Sequence, residues 1–274
     1  VTLASNGSAA TSNAGSYNIT ASGAVNGTFS ASNYNISYAN GTLTVTPANI
    51  TVTANDQSRT YGASNPTSGN VTVTSGQLYN SDALGTATVA SAANATSNVG
   101  NYTLTASNQT MTSGLVGNYN VTYATGTLTV NPANLTITAN STSTQYGLGT
   151  TLGSTAFTTS GLQNGETVGN VTLASSGSAA TSNAGSYNIT ATGAANGTFS
   201  ASNYNISYAN GTLTVTPANI TVTANDQSRT YGGSNPTSGN VTLTSGTLYN
   251  GNTLSTASLA SAANATSNVG NYTL

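Results

Sequence analysis

Asp56 and Arg59 stand three residues apart, the pair returns as Asp226 and Arg229, and Asp82 and Glu166 complete the charged residues of this 274-residue chain. Opposite charges at that spacing could hold a ligand. The plainer reading is an exposed local ion pair, worth about 0–1 kcal/mol. Eighty-five residues after the first pair the chain carries Ser141 and Thr144 instead, so the charges are dispensable for folding and the ion-pair reading is preferred. Calcium takes several oxygen ligands, carboxylates among them, and Asp82 and Glu166 are single carboxylates, which argues against a metal site.

The rest of the chemical inventory is short. There is no His, Cys, Lys or Trp, which removes the usual base near neutral pH, the thiolate nucleophile, the Schiff-base amine and the zinc ligand set. The chain is therefore read as non-enzymatic, with no catalytic residue and no cofactor. Without Cys there is no disulfide, and without Lys no Lys-to-Asn isopeptide crosslink, so stability rests on packing and backbone ladders. Two basic residues make no phosphate-binding face, which excludes nucleic acid as a partner. No apolar run approaches the roughly 20 residues needed to span a bilayer. A Lys-free, Cys-free and nearly uncharged surface suits a secreted or cell-surface protein, because trypsin-like proteases find only Arg59 and Arg229.

Asparagine offers one more chemistry. The triplet N-x-[ST] occurs 22 times, and each is an acceptor pattern for N-glycosylation; candidates are Asn18, Asn35, Asn40, Asn49, Asn101 and Asn120. A chain rich in Asn, Ser and Thr generates this triplet by chance, and strand alternation alone sets Asn and Thr two apart. The same parity points many of them to solvent, where glycans would hydrate a surface short of charge. Tyr recurs at fixed places: Tyr17, Tyr102, Tyr187 and Tyr272 in one strand, and Tyr34, Tyr38, Tyr119, Tyr123, Tyr204 and Tyr208 in another. Core packing with the hydroxyl reaching a partner is the expectation, with an exposed sugar-stacking platform as the alternative.

These residues are positioned by a repeat. TPANI at 46–50 returns as NPANL at 131–135 and TPANI at 216–220, and NYNISY at 33–38 as NYNVTY at 118–123 and NYNISY at 203–208. The period is 85 residues with no slip between copies, and 1–20 nearly repeats at 171–190. Modules counted from Pro47, Pro132 and Pro217 occupy 1–46, 47–131, 132–216 and 217–274, the first and last being partial. Residues 1–19 and 256–274 correspond to the same stretch of the module, so the chain reads as an excerpt of a longer polypeptide. Within 47–131 the period-two alternation of Ile50, Val52 and Ala54 against Thr51, Thr53 and Asn55 marks a half-buried strand. The same pattern marks NVTVT, NYTLTA, NYNVTYA and GTLTV, while SAANAT at 91–96 is too short of apolar periodicity for a helix. Asn40-Gly41 predicts a two-residue hairpin joining NYNISYA to TLTV as antiparallel neighbours, with positive φ at the glycine. About four residues, proline included, separate GTLTV from ITVTAN. So short and stiff a link predicts a semi-rigid rod of all-β modules.

The chain resembles the MBG, or mostly beta-grasp, repeats of very large bacterial surface and secreted proteins, over all 274 residues. The residues carrying the likeness are Tyr61-Gly62 with Asn65-Pro66, Gly-x-Leu-x-Asn at 76–80, NVGNY at 98–102, NYNVTY at 118–123 and GTLTVNP at 126–132. The family often has an acidic residue after Tyr-Gly, where this chain has Ala63, Leu148 or Gly233. The resemblance implies a β-grasp-like module with little or no helix, acting as spacer or stalk, and brings no catalytic residues with it.

The expected function is a structural repeat of an extracellular bacterial fibre or adhesin stalk. Its partners would be copies of itself, in adjacent modules or neighbouring fibres. The alternative is an adhesin module whose loops around Gly76 to Leu84 take host or matrix glycans or a receptor. The Thr-x-Thr runs resemble ice-binding ladders, but those need a rung every few residues, which an 85-residue period does not supply.

Overall fold

The computed structural model describes residues 1–25 and 27–274; Asn26, one of the sequon asparagines, lies outside them. The first copy supplies β1 (Thr2–Ser5), β2 (Gly15–Ser22) and β3 (Gly41–Val45), an antiparallel sheet in that order. The second supplies β4 (Ala48–Ala54), β5 (Gln57–Thr60), β6 (Ser68–Ser75), β7 (Ala83–Leu84), β8 (Thr86–Ala90), β9 (Gly100–Ser107), β10 (Met111–Ser113), β11 (Tyr119–Ala124) and β12 (Gly126–Asn131). The third supplies β13 (Ala133–Ala139), β14 (Thr142–Gln145), β15 (Phe157–Ser160), β16 (Val168–Ala174), β17 (Gly185–Gly197), β18 (Tyr204–Ala209) and β19 (Gly211–Thr216). The last supplies β20 (Ile220–Ala224), β21 (Ser238–Gly246) and β22 (Thr256–Ser258). Among the described residues the only helical segments are three single 3₁₀ turns, at Ala31–Asn33, Val116–Asn118 and Ala201–Asn203. The protein is all-β.

The chain divides into two compact units. One comprises Val1–Ala133 with Gln163–Gly165 and Ser202–Asn205; the other comprises Asn134–Leu162, Glu166–Ala201 and Ile206–Leu274. In the first, seven strands run in the order β11-β4-β6-β8-β9-β12-β5. Alternation along β4 puts Ile50, Val52 and Ala54 inward, where they pack with Val71, Val89, Leu104, Tyr119 and Leu128. Each fully buried leucine or valine contributes about 1.5–3 kcal/mol of transfer free energy. In the second unit Leu135, Ile137, Ile189, Leu213 and Val215 are buried at the equivalent places, on sheets ordered β15-β13-β18 and β14-β19-β17-β16.

Parallel pairing departs from the expected hairpin. The segments on either side of the short link do not pair with each other. β11 runs parallel to β4, with Tyr119 opposite Ala48 and Ala124 opposite Thr53; β12 runs parallel to β5, with Leu128 opposite Gln57, and antiparallel to β9. The offset is 71 residues before and after the link, so 48–60 and 119–131 are two parallel segments that bend together. The same holds in the third copy, where β18 lies beside β13 and β19 beside β14 and β17. Nor is the glycine there for positive φ, since neither Gly41, Gly126 nor Gly211 has it. A Cβ at Gly126 would run into the Ala54 carbonyl, and one at Gly211 into the Ala139 carbonyl. Close approach of two backbones at the shared bend, and not turn type, excludes a side chain.

Two further expectations change in detail. Only Pro132 separates β12 from β13, a shorter link than four residues. The register does slip locally: Tyr79 N–H donates to the Tyr119 hydroxyl across 40 residues, whereas Gln163 N–H donates to Tyr204 across 41. The left-handed pair Asn80-Ser81 correspondingly becomes Asn164-Gly165. The loop is one residue shorter in the third copy and the period is restored before Tyr187.

Gly126→Ala is expected to destabilise the chain by about 1–3 kcal/mol, because the added methyl must displace backbone. The readout is a lowered urea midpoint at unchanged slope. Gly117→Ala, where a Cβ meets nothing within 4 Å, should leave the midpoint where it was.

Candidate functional site

The Tyr-Gly turn begins where β5 ends. Gly62, Gly147 and Gly232 have φ of 85°, 90° and 83°, a left-handed conformation that disfavours any side chain. Arg59 lies just before this turn and is only 7% exposed. Its Nε donates to Asn65 Oδ1 at 2.7 Å, Nη1 to the Thr60 carbonyl at 3.2 Å and Nη2 to the Asn94 carbonyl. Asn65 passes the network on to the Ala93 carbonyl through Nδ2. Arg229 repeats the arrangement with Asn235, Thr230, Gly233 and Asn264. Asp56 faces elsewhere: its Oδ1 accepts the Thr127 N–H at 2.7 Å, at the shared bend.

The expected Asp56–Arg59 ion pair is thereby corrected. The two side chains serve different backbones. Arg59 gathers carbonyl oxygens under the turn, and Asp56 takes an amide left without a ladder partner between Ala124 and Leu128. The third copy shows why neutral residues suffice, because Ser141 Oγ accepts the Thr212 N–H at 2.9 Å and Thr144 Oγ1 donates to the Gly149 carbonyl at 2.8 Å. An oxygen acceptor at the bend is the requirement; its charge is not.

The loop following Gly76 was the other candidate. Gly76 is left-handed, and a Cβ there would meet the Asn49 carbonyl. Tyr119, buried at its base, accepts the Tyr79 N–H at 2.9 Å and donates its own hydroxyl to Asp82 Oδ2 at 2.8 Å. Burial raises the Tyr119 phenol above its ordinary pKa; the Tyr79 N–H opposes it, and the Asp82 carboxylate adds to the rise. Asp82 is thus an anchor for its loop. Among the described residues no three His, Cys, Asp or Glu side chains come together to hold a metal ion.

The tyrosine expectation holds for the partnered hydroxyl but not for core packing: of the ten, only Tyr119 and Tyr204 are buried, and Tyr34, Tyr38, Tyr208 and Tyr272 are exposed. Tyr17, Tyr102, Tyr187 and Tyr272 donate to the carbonyls of Asn13, Asn98, Asn183 and Asn268, each four residues earlier. Tyr38, Tyr123 and Tyr208 accept the amides of Ala24, Gln109 and Ala194. Burial varies with strand pairing: Tyr119 and Tyr204 are buried, while Tyr34 is 63% exposed in a copy where 33–40 form no strand. Tyr146 is different again, because the amides of Asn250 and then Asn252 hold its phenol below the ordinary value.

Asn18, Asn35, Asn40, Asn49, Asn101 and Asn120 are all exposed. Asn120 Nδ2 donates to Asn49 Oδ1 across the parallel pair, and Thr129 Oγ1 donates to Asn101 Oδ1.

The model of the MBG domain, YGX type, matches residues 1–44, 50–129, 135–214 and 220–274. The chain belongs to the MBG domain family. Tyr61-Gly62-Ala63, Tyr146-Gly147-Leu148 and Tyr231-Gly232-Gly233 are its Tyr-Gly-x elements, and the β-grasp-like modules follow one another in tandem. MBG repeats are a structural domain family and not an enzyme family. No curated protein matches the chain. What sequence reasoning missed is the role of Asn65 and of the Asn94 carbonyl around Arg59. The recurrence of Asn65-Pro66 as Asn235-Pro236 beside the recurring Arg, and its loss where Thr144 replaces that Arg, was the signal that could have found it.

Arg59→Ala should destabilise the chain by about 1–3 kcal/mol, since the buried guanidinium and its bonds to the Asn65 side chain and to the Thr60 and Asn94 carbonyls are lost together. Asp56→Asn keeps an oxygen for Thr127 and should stay within about 0.5 kcal/mol. Equal, small shifts of the urea midpoint for both variants would restore the surface ion pair.

Proposed function

We propose that this chain is a structural segment of an extracellular bacterial fibre or adhesin stalk, in which MBG modules bounded near Pro47, Pro132 and Pro217 supply reach. The observation that carries the reading is the run of MBG matches along nearly the whole chain. The charged side chains whose contacts are described above support it, because they are turned to the module's own backbone and loops. Links as short as Pro132 favour transmission of force over free tethering. No helix among the described residues is long and apolar enough to cross a membrane. Low charge weakens repulsion between neighbouring copies, which supports lateral association of such segments through Asn, Ser and Thr. The second reading, a carbohydrate- or receptor-binding module, draws on the half-exposed Tyr79 in the Gly76 to Leu84 loop.

Antibodies against the chain should label intact producing cells, and in-frame removal of one repeat should preserve export while bringing the label nearer the envelope. Labelling only after permeabilisation refutes surface display. Retention of a glycan on an array by the purified chain, lost on Tyr79→Ala, would favour the second reading.

The exposed sequons support a further element, N-glycosylation at Asn18, Asn35, Asn40, Asn49, Asn101 and Asn120. Native material should exceed the bare polypeptide mass by whole glycan units. An intact mass equal to the polypeptide would remove this element and leave the structural reading in place.

A further inference from the structure

The asparagines that open the second and third NYN landmarks, Asn118 and Asn203, bond to the copy before their own. Asn118 Oδ1 accepts the N–H of Ala14 at 2.9 Å, and its Nδ2 donates to Asn13 Oδ1 at 3.0 Å. Eighty-five residues on, Asn203 Oδ1 accepts the N–H of Val99 at 2.9 Å, and its Nδ2 donates to Asn98 Oδ1 at 2.9 Å. All of these residues lie in the first compact unit. In both cases an amide of one copy closes on the Ser-Asn-x-Gly turn of the copy before. Asn203 is 1% exposed, and a primary amide so deeply placed is retained only with its donor and acceptor matched.

A second contact recurs beside it. Asn80 Nδ2 donates to the Ala10 carbonyl at 3.2 Å, Asn164 Nδ2 to Ala95 at 3.2 Å and Asn250 Nδ2 to Ala180 at 3.0 Å. Each of these asparagines is left-handed, and the acceptors are 85 residues apart. The one-residue slip of the third copy leaves the contact intact, so the loop keeps the position of this amide and not its sequence number. Aromatic rings close the remainder: Tyr61 meets Tyr204 edge to face at 5.6 Å, and Tyr146 meets Tyr249 at 6.4 Å. In each pair one ring comes from a Tyr-Gly turn.

We propose that these groups form a repeat-to-repeat clasp. The plug is the NYN asparagine together with the left-handed loop asparagine, and the socket is the Ser-Asn-x-Gly turn and Tyr-Gly turn of the preceding repeat. The partner of this surface is another repeat of the same kind. The inference goes beyond the cellular role proposed above and stands whether or not the protein is a stalk. It explains why landmarks far apart in sequence, Asn98-Val99-Gly100 and Asn203, recur together. It also explains the polar character of the contact. The asparagine amides bond only asparagine or backbone, so these bonds need no charged residue.

Val99 and Ala14 precede β9 and β2, and their amides bond the clasp asparagines, so their hydrogen exchange reads the joint directly. In the full 274-residue chain, Asn203→Ala should speed exchange at Val99 by about tenfold and leave the Leu104 and Leu128 amides protected. Asn118→Ala should do the same at Ala14 alone. Asn98→Ala removes only the second bond, at an exposed position whose carbonyl still accepts Tyr102. It should raise Val99 exchange several-fold, and it keeps the test decisive if Asn203→Ala unfolds. Spin labels at Asn18→Cys and Thr103→Cys, clean in a Cys-free chain, should give a broader distance distribution once Asn118→Ala is added. Unchanged exchange at Val99 in Asn98→Ala, or an unchanged distance distribution, overturns the clasp.

Discussion

Each complete MBG module depends on the pairing of its first segment with its last. Residues 48–60 and 119–131 run parallel at a constant offset of 71 and bend at the same level. Parallel strands cannot be joined by a tight turn and need a long crossover; here the crossover is the rest of the module. That single constraint explains the glycine at the bend, which must let one backbone pass the Ala54 carbonyl. It also explains the oxygen at position 56 or 141, which takes the amide that the bend removes from the ladder. Val52, Leu104 and Leu128 then meet in one core because the strands carrying them have been brought side by side.

A protein with so few charges has to satisfy its polar groups with one another. The tyrosine hydroxyls do this repeatedly: Tyr17, Tyr102, Tyr187 and Tyr272 donate to a carbonyl four residues back, and Tyr38, Tyr119, Tyr123, Tyr204 and Tyr208 accept a distant amide. Arg59 holds carbonyls that a neutral side chain could not reach in number, and the third copy dispenses with it by reshaping the turn around Thr144. Copies can exchange Asp for Ser at the bend provided an acceptor stays where the backbone needs one.

Much of this was legible beforehand. Alternation placed Ile50, Val52 and Ala54 on one face, and the structure buries those three. The strand assignments for NVTVT, NYTLTA and GTLTV coincide with β6, β9 and β12. What was not legible followed from long-range partners. Asn40-Gly41 is a favourable hairpin pair by local rules, yet 33–40 form no strand and β3 pairs with β2; at the equivalent Thr125-Gly126 the flanking strands are taken by β4, β5 and β9. Asp56 and Arg59 read as an ion pair because spacing alone is silent about Thr127 and Asn94. The slip near Asn164 was hidden because compensating changes restore the 85-residue count.

The chain by itself determined the all-β class, the tandem repeat, the family landmarks and the poverty of reactive groups, since each depends on composition and local periodicity. It did not determine whether a given segment is a strand. NYNISY occurs twice without a single difference. At 203–208 it supplies nearly all of β18, beside β13, but at 33–38 it forms no strand. A β-strand's hydrogen bonds belong to its neighbour, so its existence is a property of the pair, and only the tertiary structure decides which pairs are made.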